Sequence, residues 1–418
     1  MKILLISQHF PPERSGGIGR PFSLYKYLRN YGIYPVVLTV DAYGKMDGEP
    51  DIFRTKSILS WKNKGNSILY NVSRLTKLAN FVTPTADRVW EKTSFRKGVE
   101  ILNSQKIELI YASYPGISAL RVGLRLSRRA NVPLISEFRD GLIYEPLFRF
   151  NPISLFWTRS FEKSLIKASS AVVTIGNELS RYFAGRYALK NAFTVHNGYD
   201  RDDFILCQQN TENHRTGKFR VAHFGNLKTS RKDRQSSGLF FAIAKLKKEN
   251  ISPEKFELTL FGRFMDPEKK LIKDLGIDGL VKFHEPVDKK EGFRMLNEDF
   301  DALLLVGAKG SKTVITSKLP EYLYLNKPVI GVCKGNEAAE IIERTGTGEA
   351  CGFDADSIYF LLKKALSGKI AFNPKKEEIL KFDRASQAER ISEIIKTVIE
   401  KKASQPGLYL DTRQKDEL

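Results

Sequence analysis

The stretch TSKLPEYLYLNKPVIGV, Thr316 to Val332, holds a helix start, a helix stop and a buried strand in immediate succession. Ser317 is of the type preferred as an N-cap. Pro320 falls in the first turn, where its missing N–H has no helical partner to lose. Asn326, Lys327 and Pro328 end the helix, and the apolar run Val329 to Val332 reads as a strand of parallel-sheet type. The helix mouth presents backbone N–H groups and a positive dipole end to an anion, with Ser317, Lys318 and Leu319 as candidate contacts. Glu321, one turn further in, is placed to accept from hydroxyls. A plain capped helix feeding a strand has the same local pattern.

Working outward, the strand pattern recurs. Strands are predicted in the first half at Lys2 to Ile6, Tyr34 to Val40, Leu109 to Ser113, Pro133 to Glu137, Ala171 to Ile175 and Ala192 to His196. In the second half they fall at Phe219 to Phe224, Phe256 to Phe261, Leu280 to Phe283, Asp301 to Val306, Val329 to Cys333 and Glu349 to Phe353. Helical stretches separate most of them, so two doubly wound α/β domains in series are expected. The divisions are 1–198, 199–384, a helix over 385–402 and a frayed tail over 403–418. The polar segment Tyr199 to Gly217 is the expected link.

Composition agrees. A chain of 418 residues is long enough for two cored domains, and 42% hydrophobic with 28% charged residues excludes a disordered chain. The apolar run at Met1 to Phe10 is too short for a signal peptide core or a membrane span, so a first strand is expected there, and the sparse, odd-numbered cysteines fit a reducing cytoplasm. Cys207, Cys333 and Cys351 suggest neither disulfides nor a metal site, and no histidine spacing implies a metal. No cofactor is expected. The terminal KDEL is read as coincidence, since an address of that kind requires entry into the secretory pathway.

Three further segments carry candidate chemistry. In SGGIGRP, Ser15 to Pro21, glycines after a first strand let a backbone approach a ligand, or simply make a tight turn; Gly16, Gly17 and Arg20 are the candidates. In LISEFRDGLIYEP, Leu134 to Pro146, Asp140 stands just past a strand's carboxyl end and is the candidate catalytic carboxylate, with Glu137 as the alternative. In HFGNLKTSRKDR, His223 to Arg234, Gly225 permits close approach, Asn226 follows it, and Lys228, Arg231, Lys232 and Arg234 concentrate positive charge. His9 lies at the mouth of the first sheet, where it could contact a ligand, and His196, His214, His223 and His284 are assigned mainly structural or surface roles.

Together SKLPEYLYLNKPVI, the N-terminal MKILLISQHFPPERSGGIGR and NGYD at Asn197 to Asp200 resemble the signature segments of family 4 glycosyltransferases, in order over nearly the whole chain. That resemblance implies a GT-B fold, two Rossmann-like doubly wound domains facing a central cleft, with the C-terminal helix crossing back onto the first. It implies retaining transfer from a nucleotide-sugar donor to a glycan or lipid-linked acceptor. In the implied arrangement Gly16 and Gly17 lie against donor phosphate or acceptor, Asp140 lies near the reacting centre, Glu321 fixes the donor ribose and Lys232 clamps the diphosphate. The chain departs from the pattern twice. Asn226 stands where an arginine usually follows the glycine, with Arg231 or Lys228 as replacement charge, and Thr313 stands where many relatives carry a first glutamate. A nucleotide-sugar epimerase of the same fold and a non-catalytic membrane-bound partner are the alternatives.

Net charge is +20, and Arg54 to Arg129 holds 15 Lys or Arg against 4 Asp or Glu. Interleaved with Trp61, Phe81, Trp90 and Phe95, this basic excess suggests an anionic membrane surface, placing the chain peripherally on the inner face of the cell membrane. No nucleic-acid motif accompanies the charge, so nucleic acid is not an expected partner. Core helices with solvated lysines would show the same composition.

Overall fold

The computed structural model describes residues 1–13, 17–46, 48, 50–58, 60, 86–146, 150–207, 217–225, 227, 236–264, 266–313 and 315–404. Contacts divide the chain into two units, Met1–His196 with the segment from Ala385, and Asn197–Arg384.

The first unit holds β1 (Lys2–Ser7), α1 (Gly19–Tyr27), β2 (Tyr34–Val40), β3 (Ile52–Thr55), α2 (Arg88–Ser104), β4 (Leu109–Tyr114) and α3 (Ile117–Ala130). It continues with β5 (Leu134–Phe138), α4 (Pro152–Ala168), β6 (Ala171–Thr174), α5 (Asn177–Tyr187) and β7 (Ala192–Thr194). Its seven strands are ordered β3-β2-β1-β4-β5-β6-β7, all parallel. Period-two alternation sends Leu4, Ile6, Ile110, Ala112, Leu134 and Val172 to a face covered by α2, α3, α4 and α5. The opposite face carries Ile3, Leu5, Tyr111, Ile135 and Val173.

The second unit holds β8 (Phe219–Phe224), α6 (Ser236–Lys248), β9 (Phe256–Phe261), α7 (Asp266–Asp274), β10 (Val281–His284), α8 (Lys289–Asp299) and β11 (Ala302–Val306). It continues with α9 (Lys318–Leu325), β12 (Val329–Val332), α10 (Glu337–Thr345), β13 (Gly348–Cys351), α11 (Ala355–Leu366) and α12 (Lys376–Leu380). The order β10-β9-β8-β11-β12-β13 is again all parallel. A long helix, α13 (Arg384–Ser404), covers the second face of the first sheet through Ala388, Ile391, Ile394, Ile395 and Val398.

Among the described residues, twelve of the thirteen strands coincide with the expected ones to within a residue or two. The exception is β3, four residues long, at the sheet edge and only partly buried, so it carries neither a continuous apolar run nor an alternation.

At the carboxyl end of the first sheet, Arg20 corrects an expectation. Read from sequence as a ligand contact, it is only 5% exposed. Its Nε donates to Glu137 Oε1 at 2.8 Å, Nη1 to the His196 carbonyl and Gln387 Oε1 at 3.1 Å each, and Nη2 to the Val195 carbonyl at 2.6 Å. Glu137 is fully buried and also accepts from Tyr111 Oη at 2.8 Å and Ser113 Oγ at 2.6 Å. Neither group is available to a ligand. Arg20 joins α1, β5, the chain after β7 and α13, and Glu137 is excluded as the alternative catalytic acid.

Burial alone would raise the Glu137 carboxyl, but Arg20 and Arg139 hold it below its ordinary 4.5. The folded value is the lower one, so this group contributes stability above pH 4.5 that is lost as pH falls through the folded value. Glu137→Gln leaves Arg20 buried without its counter-charge and is expected to cost about 3–5 kcal/mol. A markedly lower thermal unfolding midpoint at neutral pH, with the gap to wild type narrowing in acid, is the expected result. An unchanged midpoint would show that the pair does not hold the unit together.

Candidate active site in each unit

In doubly wound sheets, ligands bind outside the carboxyl ends of the strands where strand order reverses. That point lies between β1 and β4 in the first sheet and between β8 and β11 in the second. Gly17 follows β1 in the first unit, and Gly225 and Lys318 stand beside the ends of β8 and β11 in the second.

In the first unit, Gly17 is held by two neighbours. A Cβ built on it would lie 3.0 Å from His9 Cγ, and its carbonyl accepts from Arg139 Nη1. His9 packs beneath the loop, its Nδ1 3.0 Å from Glu13 Oε1. The space beside His9 is thus enough to require a glycine at position 17. Arg139, 7% exposed, also donates through Nε to the Tyr114 carbonyl at 3.0 Å. Its buried Nη2 has no hydrogen-bond partner. Asp140, the next residue, is half-buried beyond the end of β5. Its charge helps push the Tyr114 hydroxyl pKa up, burial being the larger cause. Arg139 thus ties the glycine loop to the strand ends beside Asp140, a role no local pattern announces.

In the second unit, the α9 mouth differs from expectation in its donors. Ser317 occupies the N-cap position in helical conformation, and its side chain makes no capping bond. Thr316 supplies the cap instead, its Oγ1 accepting from the Lys318 N–H at 3.1 Å and its carbonyl from the Leu319 N–H at 3.3 Å. Leu319 is fully buried in the core, so its side chain cannot touch a ligand. Pro320 has no N–H. With two first-turn donors engaged, the attraction for an anion rests on the Lys318 side chain and the dipole.

That side chain is closely positioned. Lys318 Nζ lies 3.1 Å from His223 Nε2, and His223 Nδ1 lies 2.9 Å from the Leu304 carbonyl. The carbonyl is an acceptor only, so Nδ1 carries the proton and Nε2 accepts from the ammonium. His223, 1% exposed and read from sequence as structural, therefore aims the lysine. Gly225 has φ 95° and passes beneath it, a Cβ there lying 3.0 Å from Lys318 Cε. The close approach that this glycine permits is that of Lys318. Burial pushes the Lys318 ammonium down to about 8, against the attraction of Glu321.

Glu321 is 7% exposed and its Oε1 pairs with Lys289 Nζ at 2.8 Å; Lys289 also donates to Asp203 Oδ2 at 2.7 Å. Burial raises the Glu321 carboxyl, with Lys289 opposing. Sequence reasoning missed Lys289 and Asp203, which are remote from Glu321 in the chain and belong to no motif. Thr313 is buried. Gly16, Asn226, Lys228, Arg231, Lys232 and Arg234 lie outside the described residues. Among the described residues no His, Cys, Asp and Glu group could hold a metal, and no helix is long and apolar enough to cross a membrane.

No protein-family model matches the sequence, and no curated protein matches it. Solved structures do. Sucrose-phosphate synthase from Thermosynechococcus elongatus is similar over 96% of this chain and 99% of its own, at 13% identity and a TM-score of 0.66. The lipopolysaccharide outer core galactosyltransferase WaaB, in its apo form, covers 96% and 100% at 13% identity and a TM-score of 0.58. A UDP-N-acetylglucosamine 2-epimerase covers 100% and 98% at 12% identity and a TM-score of 0.54. At such identities the likeness shows the fold, which is GT-B: two parallel-sheet α/β domains of seven and six strands.

Gly225→Ala tests the second site's geometry. A side chain at this φ costs about 1–2 kcal/mol, and the added methyl also displaces Lys318. A lower unfolding midpoint and a changed Lys318 titration, read by NMR of labelled lysine, are expected. Wild-type values for both would refute the close approach.

Proposed function

We propose that this chain is a retaining glycosyltransferase that moves a sugar from a nucleotide-sugar to an acceptor hydroxyl, in cell-surface polysaccharide or lipid-linked glycan assembly at the inner face of a membrane. The observation that carries the reading is the cation of Lys318, aimed by His223 over Gly225 at the carboxyl end of β8, with the Glu321 carboxylate one turn further along α9. A departing nucleoside diphosphate needs cations on its oxygens, and stabilising leaving-group charge is where such groups contribute most.

In this reading Lys318 neutralises the diphosphate together with Lys232 and Arg231. Glu321, held through one oxygen by Lys289, accepts from the donor ribose with the other. Asp140 supports the acceptor hydroxyl. The bond from the sugar's anomeric carbon to phosphate oxygen breaks and the bond to acceptor oxygen forms on the same face, the hydroxyl proton passing to the departing phosphate. Epimerases among the solved neighbours favour a second reading, a nucleotide-sugar epimerase, which turns over donor with no acceptor present.

Calorimetry with UDP, GDP and ADP tests the site. One of them is expected to bind, with Lys318→Met weakening it about tenfold or more, the range of a charged hydrogen bond. Absence of binding by all three sinks the reading. Asp140→Asn is expected to retain diphosphate binding and lose about a hundredfold or more in transfer; near-normal turnover would remove Asp140 from the reaction.

The pH dependence has a fixed sign. Only the ammonium form of Lys318 attracts phosphate, and its value in the free protein is about 8. Diphosphate affinity should therefore be level between the phosphate's own second ionisation, at about 6, and that pH, and fall above it by up to about tenfold per pH unit. Lys318→Met should flatten the profile, and an equally steep fall in that variant would assign the titration to another group.

A further inference from the structure

Helix α4 has an unusual outer face. Ile153, Phe156 and Trp157 are 49%, 65% and 51% exposed. They occupy its first two turns and, spaced by three and four residues, share one side. Phe156 and Trp157 meet edge to face with ring centroids 5.6 Å apart, forming one continuous surface. The buried side of the helix is normal, with Ser154, Thr158, Leu165 and Ile166 turned inward. The outer stripe changes character along its length, from the three apolar residues to exposed Lys163 and Lys167, with exposed Arg159 beside it. The one acid of the helix, Glu162, is fully buried and accepts from Tyr182 and Tyr187. Arg128 of the neighbouring α3 donates to Ser164 on α4 at 2.8 Å, adding a further cation.

We infer that α4 docks on an anionic lipid surface, its first two turns inserting Ile153, Phe156 and Trp157 among acyl chains while Arg159, Lys163 and Lys167 contact headgroup phosphates. Charge selects this occupant. An apolar tip backed by cations and no exposed acid matches a bilayer of apolar interior and negative surface, and Trp is suited to that boundary. Lysine and arginine stems lie along apolar surface while their heads reach phosphate. The location fits. The helix follows β5, so its N-terminus lies at the carboxyl edge of the sheet, the edge that carries Asp140. This deepens the membrane part of the proposed function and rests on that reading for its setting, while its observations are separate from the basic stretch of residues 54–129. There, Trp90 is fully buried and Phe95 packs against the core, so neither can insert as the sequence suggested.

The full chain is to be sedimented with vesicles of phosphatidylcholine alone and with added phosphatidylglycerol. Wild type is expected to favour the anionic vesicles, with high salt weakening binding without abolishing it. Phe156→Ser with Trp157→Ser should lower binding about tenfold or more. Arg159→Gln, Lys163→Gln and Lys167→Gln together should lower it about a hundredfold at low salt. Unchanged binding in both variants overturns the inference, as does a concentration-dependent dimer of wild type that the aromatic variant lacks. If the aromatic variant unfolds, Trp157 is read in a Trp61→Phe chain, whose other tryptophan, Trp90, is fully buried and shielded from lipid. Quenching by lipids brominated in the acyl chain supports insertion, and its absence overturns it. Diphosphate binding is measured separately, so failure of the sugar-transfer reading and failure of lipid docking remain distinguishable.

Discussion

The buried pairing of Arg20 with Glu137 is the constraint on which the first unit depends. One guanidinium reaches α1, the carboxyl end of β5, the chain after β7 and α13, elements more than three hundred residues apart in sequence. A fully desolvated charge pair adds little net stability against an apolar substitute, but breaking it is costly, so it acts chiefly on which arrangement is permitted. Tyr111 and Ser113 complete the acceptor side of Glu137, leaving the carboxylate no capacity for a ligand. The consequence is chemical. With Glu137 committed, the next acid at the same sheet end is Asp140, half-buried and tied by its neighbour Arg139 to the glycine loop.

The second unit solves the opposite problem, since its cation must stay available. Lys318 is paired with a neutral acceptor, His223 Nε2, instead of a carboxylate. A neutral partner fixes direction without cancelling charge, so the field of the ammonium remains directed at the sheet end. Glu321 could have neutralised it from one turn away, but its Oε1 is engaged by Lys289, which Asp203 balances in turn. Two basic and two acidic side chains thus sort into an aimed cation and a held carboxylate. Such a separation of roles by environment is how one site carries both functions.

The fold was legible because its signal is local. Central parallel strands such as Val329–Val332 are uninterrupted apolar runs, and the left-handed cap at Asn326, φ 52°, is announced by Asn-Lys-Pro. Strand β3 lacked such a run and was missed. The mouth of α9 was also legible in position but not in detail. Ser317 and Thr316 are both capping types, and only the backbone conformation decides which side chain accepts. Arg20 shows the limit of motif reading, because an arginine after a glycine loop looks the same in sequence whether it faces a ligand or a buried glutamate. Lys289, Asp203 and the aiming role of His223 carried no local signal, being pairings across a sheet or between helices.

Charge of one sign therefore serves three purposes in this chain, and burial distinguishes them. Arg20 is enclosed and structural; Lys318 is partly enclosed, which depresses its pKa and makes its charge conditional on pH. Arg159, Lys163 and Lys167 are exposed, so an isolated contact with any of them is weak. They matter only together, and only where an apolar surface beside them brings a partner close enough for several to act at once. Ile153, Phe156 and Trp157 provide that surface on the same helix, which is why the composition of the whole chain, basic throughout, locates nothing until exposure is known residue by residue.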